Sequence, residues 1–278
     1  MTTFWNNTKT ALLLGLMFGL ILAAGSFFGK GGLMFAFLLG GGGAIFSFFF
    51  SDKIALTAMR GKEVDEQSAP DLVHMIERLA RNANLPMPRV YICPQDAPNA
   101  FATGRSPRKS AVAVTRGALQ LLSYDELEGV MAHELAHVKN RDTLISTIAA
   151  VIAGALTYLG YIGLFFGGGR DNPLGLIGMI LMIFLAPVAA ALIQMAISRS
   201  REYVADAHGA EIAGSPDGLM SALRKLDSMN KRVPMQNETP SQNHMFIVQP
   251  LSGGGGLSSL FSTHPATEDR IAKLQQIV

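Results

Sequence analysis

The sequence predicts an α+β, predominantly helical integral membrane protein, with four transmembrane helices in two hairpins beside a helical domain that carries a small β-sheet. Three observations lead there. The 278 residues are 49% hydrophobic and only 16% charged, and the mean hydropathy is +0.29, too apolar for an ordinary soluble domain. Uncharged apolar runs occur in two close pairs. Between and after those pairs the chain changes to amphipathic and alternating patterns that suit a folded domain. The formal net charge of +2 offers no basic field for nucleic acid. One cysteine, Cys93, excludes an internal disulfide framework and a cysteine-rich metal site, and reads as a small core residue.

The first pair of runs is Ala11 to Phe28 and Gly32 to Phe50. Each is long enough as a helix, at ~1.5 Å per residue, to cross a hydrocarbon core of ~30 Å. They follow one another through a tight turn at Phe28-Gly29-Lys30-Gly31-Gly32, which argues against a cleaved signal peptide. Gly40 to Gly43 in the second run permit close helix approach, with a break or re-entrant turn as the alternative. Ser51 to Gln67 is polar connecting chain. Ser68 to Asn84 reads as an amphipathic helix capped by Ser68, with Pro70 in its first turn and Leu72, Ile76, Leu79 and Ala83 on its apolar face. His74 on that helix reads as a packed or surface histidine.

Arg89 to Cys93, Asn99 to Gly104 and Ser110 to Thr115 are strand candidates separated by turn formers, among them Pro98, Gly104 and Pro107. Asn99 to Thr103 is either a purely structural strand or an exposed edge able to pair with an extended peptide. The sheet leads into Met131-Ala132-His133-Glu134-Leu135-Ala136-His137. Ser123-Tyr124-Asp125-Glu126 fits a capping box, and the chain from there through the motif favours a helix. On a helix His133 and His137 project from one face, one turn apart. Two imidazoles so placed can share a zinc ion, with Glu134 beside them as a general base.

The second pair of runs is Thr143 to Phe166 and Leu174 to Ile197, joined by a turn over Gly167 to Pro173. A hairpin here returns the chain to the face it left, so residues soon after Ile197 can reach the histidines. What returns is Arg199-Ser200-Arg201-Glu202-Tyr203-Val204-Ala205-Asp206-Ala207-His208. A helix puts Glu202 and Asp206 on one face. A hydrolytic zinc site with two histidines needs a third protein ligand, for which Glu202 is the choice and His208 the competitor. Asp206 is then placed to accept a hydrogen bond from a ligating imidazole. A surface ion network with Arg199 and Arg201 is the bland alternative. Ser215-Pro216-Asp217 opens another helix with Leu219, Ala222, Leu223 and Leu226 inward. Lys231 to Leu260 reads as a long loop, and a short helix containing Leu274 and Ile277 closes the chain.

These segments divide the chain into residues 1–50 as the first hairpin, 51–142 as the first part of the outer domain, 143–197 as the second hairpin, and 198–278 as the second part. Lys9, Lys53, Arg60, Lys62, Lys139, Arg141, Arg199 and Arg201 lie on the side of the outer domain. Only Lys30 and Arg170 lie in the opposite turns, so the positive-inside bias makes the domain cytoplasmic.

His-Glu-x-x-His at 133–137, Arg-Glu-Tyr-x-Ala-Asp at 201–206, Thr-His-Pro at 263–265 and Asn-Ala-Phe-Ala at 99–102, in this chain order, resemble the HtpX-type membrane zinc metalloproteases, relatives of the CAAX prenyl proteases. The resemblance covers essentially the whole chain. It implies a zincin-like catalytic domain and one Zn²⁺ per chain held by His133, His137 and Glu202, with Glu134 as the catalytic carboxylate. It also implies Asp206 as the partner of a ligating histidine and Asn99, Ala100, Phe101 and Ala102 as the substrate-binding edge. His264 would help stabilise the oxyanion, with Arg270 nearby. The implied role is cleavage of damaged or misfolded membrane proteins in quality control and stress response at the bacterial cytoplasmic (inner) membrane, with protein substrates and the lipid bilayer as partners and no nucleic acid. A non-catalytic metal-binding membrane scaffold and a prenyl-protein protease are the rival readings. A transporter fits poorly, because the four apolar runs carry no Asp, Glu, Lys, Arg or His.

Overall fold

A computed structural model describes residues 29–142, 199–232 and 265–277, with isolated positions at 8, 11, 12, 15, 16, 18, 19, 22, 145 and 188. The chain divides into two compact units, Met1–Phe50 with Ile145–Ser198, and Ser51–Leu144 with Arg199–Val278. The apolar runs Thr143 to Phe166 and Leu174 to Ile197 fall almost wholly outside the described residues, as do the larger part of Ala11 to Phe28 and residues 233–264 of the expected loop and its sequel. Among the described residues, no helix is long and apolar enough to cross a membrane.

The second apolar run lies in helix α1 (Gly29–Ala58), which passes through Gly40 to Gly43 without the break that four glycines could have caused. A Cβ at Gly42 would meet open space. Helix α1 begins at Gly29, so Lys30 and Gly31 form its first turn rather than the expected hairpin turn. It also continues through Ser51 to Ala58, expected as connecting chain. Its last turn and the residue just beyond supply Leu56 and Met59, an apolar pair packed on the sheet, and that burial outweighs the polar composition around them.

The sheet of the second unit has strands β1 (Lys62–Val64), β2 (Arg89–Cys93), β3 (Ala100–Gly104) and β4 (Ser110–Thr115), in the order β1-β2-β4-β3. β2 and β4 are parallel, and the outer strands β1 and β3 run antiparallel to their neighbours. β1 escapes sequence reading because three residues, two of them charged, have no period to detect. Alternation assigns the sheet's two faces. Val90, Ala100, Val112 and Val114 join the main core, while Tyr91, Cys93, Phe101, Ala111 and Ala113 pack with Leu56 and Met59. Cys93 is fully buried, and that burial pushes its thiol up to about 11, as befits an inert core residue.

Helices cover the main-core face. α2 (Pro70–Asn82) buries Leu72, Met75, Ile76, Leu79 and Ala80. Ala69, not Ser68, is its N-cap, because the Ser68 hydroxyl is taken by Asp65 Oδ1 at 2.8 Å in a closed turn. His74 is on the surface, 2.8 Å from Glu66. α3 (Arg116–Leu121) is capped by Thr115, and α4 (Tyr124–Asn140) carries the two-histidine motif. α5 spans 199–213, followed by α6 (Asp217–Arg232), so Lys231 and Arg232 belong to a helix and not to a loop. Leu219, Ala222, Leu223 and Leu226 of α6 are buried as the pattern required. α7 (Thr267–Leu274) ends before Ile277, which is exposed, while Leu274 is buried.

α4 is anchored at its start. Ser123 accepts from Glu126 N, and the Glu126 carboxylate accepts from Ser123 N at 2.8 Å, a complete capping box. The same carboxylate accepts from Ser221 at 2.8 Å and Lys225 at 2.5 Å on α6. Gly129 and Gly218 let the two helices approach, since a Cβ on either would strike backbone of the other. Burial alone would raise the Glu126 carboxyl, but Lys225, Ser123 and Ser221 lower it from 4.5 to about 2. Its stabilising effect is therefore complete above 4.5 and fades as pH falls toward about 2. Glu126→Gln should lower stability by about 1–2 kcal/mol at pH 7. The gap between variant and parent melting temperatures should close progressively below 4.5, as measured by thermal unfolding across pH.

Candidate metal centre

The helical period places His133 and His137 on one face of α4, and the fold turns that face toward α5. His137 Nε2 and His133 Nε2 are 3.1 Å apart. Glu202 on α5 presents Oε2 at 3.5 Å from His133 Nε2 and Oε1 at 3.5 Å from His137 Nε2. One ligand atom from each of the three side chains lies within 4.8 Å of the other two. His208, the competing ligand, turns away to Asn140 Oδ1 at 3.0 Å. Gly209 permits the assembly: a Cβ there would stand 2.9 Å from His133 Cα and 3.0 Å from His133 N, so α5 rests directly on the motif.

Each imidazole has a carboxylate behind it. Asp206 Oδ1 is 3.0 Å from His133 Nδ1, and Asp142 Oδ2 is 2.9 Å from His137 Nδ1. Arg141 ends α4 in the left-handed region at φ 58°, a turn that folds Asp142 back to the helix. Arg270 of α7 is buried and grips Asp206 with two hydrogen bonds, Nε to Oδ2 at 2.9 Å and Nη2 to Oδ1 at 2.6 Å. Its Nη1 is 3.5 Å from Glu202 Oε2, and its Nη2 is 3.4 Å from His133 Nε2. Arg201, one residue before Glu202, is buried against Asp142. The expected surface network is thus not on the surface, because Arg201 turns inward.

The fourth side of the centre is the sheet. Among the described residues β3 pairs with β4 alone and is an edge, and Ala102 N donates to Glu134 Oε2 at 2.8 Å. The sequence-predicted edge residues differ in placement. Asn99 precedes the strand and is buried, with its backbone tied to Thr115 Oγ1 at 2.8 Å. Ala100 and Phe101 are buried too, so the edge offers backbone groups rather than these side chains. His264 lies outside the described residues. Asp142, at the end of α4, was not singled out by sequence, where a carboxylate among Lys139, Asn140 and Arg141 looks like ordinary polar chain.

The electrostatics follow from burial and pairing. Desolvation disfavours charge on both imidazoles, but Asp206 and Glu202 raise His133, and Asp142 and Glu202 raise His137 well above the usual range. Burial would raise Asp206, yet Arg270 and His133 hold it at about 2. Glu134 goes the other way: burial raises it, with partial relief from His137 and His133. Carboxylates at both Nδ1 atoms leave both Nε2 lone pairs aimed at one point, where they repel unless positive charge sits between them. A tetrahedral zinc site with ~2.0–2.1 Å bonds has ligand–ligand edges of ~3.3 Å. The two Nε2 atoms, 3.1 Å apart, and the 3.5 Å from each to its own Glu202 oxygen are close to that edge.

A helix-borne pair of imidazoles, a carboxylate ligand from a second helix and an acid beside a free strand edge define a metal-dependent peptide hydrolase. The model of peptidase family M48 matches residues 66–278. A protease HtpX homolog of Desulfatibacillum aliphaticivorans is 53% identical over 97% of this chain and 89% of its own length. One of Pelotomaculum thermopropionicum is 51% identical over 97% of this chain and 98% of its own. The fold is similar to the crystal structure of S. mikatae Ste24p, at a TM-score of 0.57 and 20% identity, covering 98% of this chain but 66% of that one, just under two thirds of its length. The chain belongs to peptidase family M48 and is an HtpX-type metalloprotease.

Two substitutions probe the assembly. Asp206→Asn should weaken metal binding about 10–100-fold, read by competition with a chelator of known affinity. Gly209→Ala should push α5 off His133, lowering stability by about 1–3 kcal/mol and metal affinity with it, read by thermal melts with and without metal.

Proposed function

We propose that this protein is a zinc endopeptidase of the bacterial cytoplasmic membrane that cleaves damaged or misfolded membrane proteins during quality control and stress. His133, His137 and Glu202 would hold the zinc, one ion per chain. The observation that carries the reading is Glu134: it lies next to the three donors and touches Ala102 N at 2.8 Å, on the side of β3 that faces no other strand among the described residues. A purely structural site has no use for a base there, which disfavours the scaffold reading. When bound, zinc supplies Lewis acidity that polarises the scissile carbonyl and makes water a better nucleophile near neutral pH.

The chain's own groups do the rest. An extended substrate pairs with the backbone of β3 around Ala102, which aligns its carbonyl beside Glu134 with little regard to side-chain identity. Glu134 gives up its bond to Ala102 N, takes a proton from the attacking water and passes it to the leaving nitrogen. Its raised carboxyl makes it a stronger base toward that water than an ordinary glutamate. His264 donates to the developing oxyanion, a role carried by the resemblance. Asp206 and Arg270 position His133 and Glu202, and neither needs to touch substrate.

The four apolar runs support a multi-pass location with two hairpins, and the lysine and arginine bias supports a cytoplasmic catalytic domain. Exposed Met34, Phe35, Phe37, Leu38 and Phe46 on α1 are consistent with a helix facing lipid. The division into residues 1–50, 51–142, 143–197 and 198–278 belongs to the same reading.

The test is cleavage of an unfolded model protein by the detergent-purified enzyme, stripped of metal and then restored with zinc. Glu134→Gln should keep one zinc per chain and lose at least about 10²-fold in turnover. His133→Ala should lose zinc and activity together. Full turnover by Glu134→Gln would remove the base, and cleavage equally fast without metal would remove the zinc mechanism.

A further inference from the structure

The centre holds a second carboxylate–guanidinium pair that the proposed chemistry leaves unused. Asp142 Oδ2 faces His137 Nδ1 at 2.9 Å, and Asp142 Oδ1 accepts from Arg201 Nη1. Both residues are buried, at 3% and 5% exposure. Burying an ion pair costs desolvation that its own attraction often fails to offset, so such a pair argues weakly for stability and more strongly for orientation. Its layout matches the one behind the other imidazole, where Arg270 grips Asp206 and Asp206 faces His133. The two pairs differ in what they join. Asp142 follows the end of α4 and Arg201 stands near the start of α5, 59 residues later. Chain 143–200 is thus an excursion whose two ends meet at a single ligand. The Asn140–His208 contact at 3.0 Å joins the same two helices close by.

We infer that Asp142 and Arg201 are positioning residues that clasp the two ends of the 143–200 excursion and, through that clasp, set the His137 ligand. Asp142 takes the Nδ1 proton, which fixes the tautomer and leaves Nε2 bare toward His133 and Glu202. Arg201 pins Asp142 in place and sits next to Glu202 in the chain, so one joint orients two of the three donors. Metal affinity then depends on the two ends being together, and by linkage metal favours the joined state by the same factor. The inference rests on the metal reading of His133, His137 and Glu202.

The experiment uses the full chain in detergent, with zinc affinity measured by chelator competition for Asp142→Asn, Arg201→Met, Arg201→Lys and the double variant Asp142→Asn/Arg201→Met. Cobalt-loaded samples report the ligand field by visible absorption, and metal-free melts check that each variant folds. Asp142→Asn should bind zinc about 10–100-fold more weakly and shift the cobalt bands. Arg201→Met should lose affinity in the same direction, Arg201→Lys should recover part of it, and the double variant should be no worse than Asp142→Asn. That non-additivity is the mark of a residue acting through another. Wild-type affinity in Arg201→Met, or losses that add in full, would overturn the clasp. If Arg201→Met does not accumulate, near-isosteric Asp142→Asn decides alone: wild-type affinity with unshifted cobalt bands overturns the inference. A parent protein that binds no zinc would sink the metal reading itself, whereas zinc-binding variants equal to the parent sink only the clasp.

Discussion

Two imidazole nitrogens aimed at each other from 3.1 Å are an unfavourable arrangement unless positive charge lies between them. The second unit is built to hold that arrangement. The carboxylates of Asp142 and Asp206 occupy the Nδ1 sides, which leaves no other direction for the lone pairs at Nε2. Glu202 closes the third side. Left without compensation, so much buried negative charge would be costly, and Arg270 and Arg201 supply the compensation from two further places in the chain. The site is a layered charge arrangement in which each layer satisfies the one inside it.

Such layering needs backbones closer than ordinary side chains allow. Gly209 lets α5 rest on His133, and Gly129 with Gly218 lets α6 rest on α4. The motif helix is consequently gripped along its length: capping box and Lys225 at its start, α6 and α5 against its flanks, and the left-handed Arg141 at its end. Rigid support of this kind keeps the ligands within reach of one another before any metal arrives.

Glu134 links the centre to the sheet. Its carboxylate is occupied by Ala102 N, the group an incoming strand would border. In the proposed function that one hydrogen bond would couple substrate pairing along β3 to the release of Glu134. The buried Ala100 and Phe101 side chains leave backbone groups, not these side chains, at that edge.

Much of this was legible in the sequence, for a local reason. The 3.6-residue period alone puts His133 and His137 together, and the same period pairs Glu202 with Asp206. The capping box was readable because its two partners are three residues apart. The buried faces of α2 and α6 and the three longer strands were likewise carried by short-range patterns. The expectation that Glu202 comes back to the histidines is met at 3.5 Å, while the hairpin from which it was argued lies outside the described residues. Missed or misplaced features were the ones that local pattern does not encode. β1 is too short to have a period, Ser68 found Asp65 before it could cap α2, and the last turn of α1 is helical because Leu56 and Met59 are buried under the sheet. The sequence by itself determined that His133 and His137 can act as ligands and Glu134 as base, since those follow from spacing on one helix. Only the tertiary structure decided which carboxylate and which guanidinium stand behind each ligand. Asp142, Arg201 and Arg270 meet the histidines where distant helices cross, and the crossing points are set by glycines and core packing rather than by neighbours in the chain.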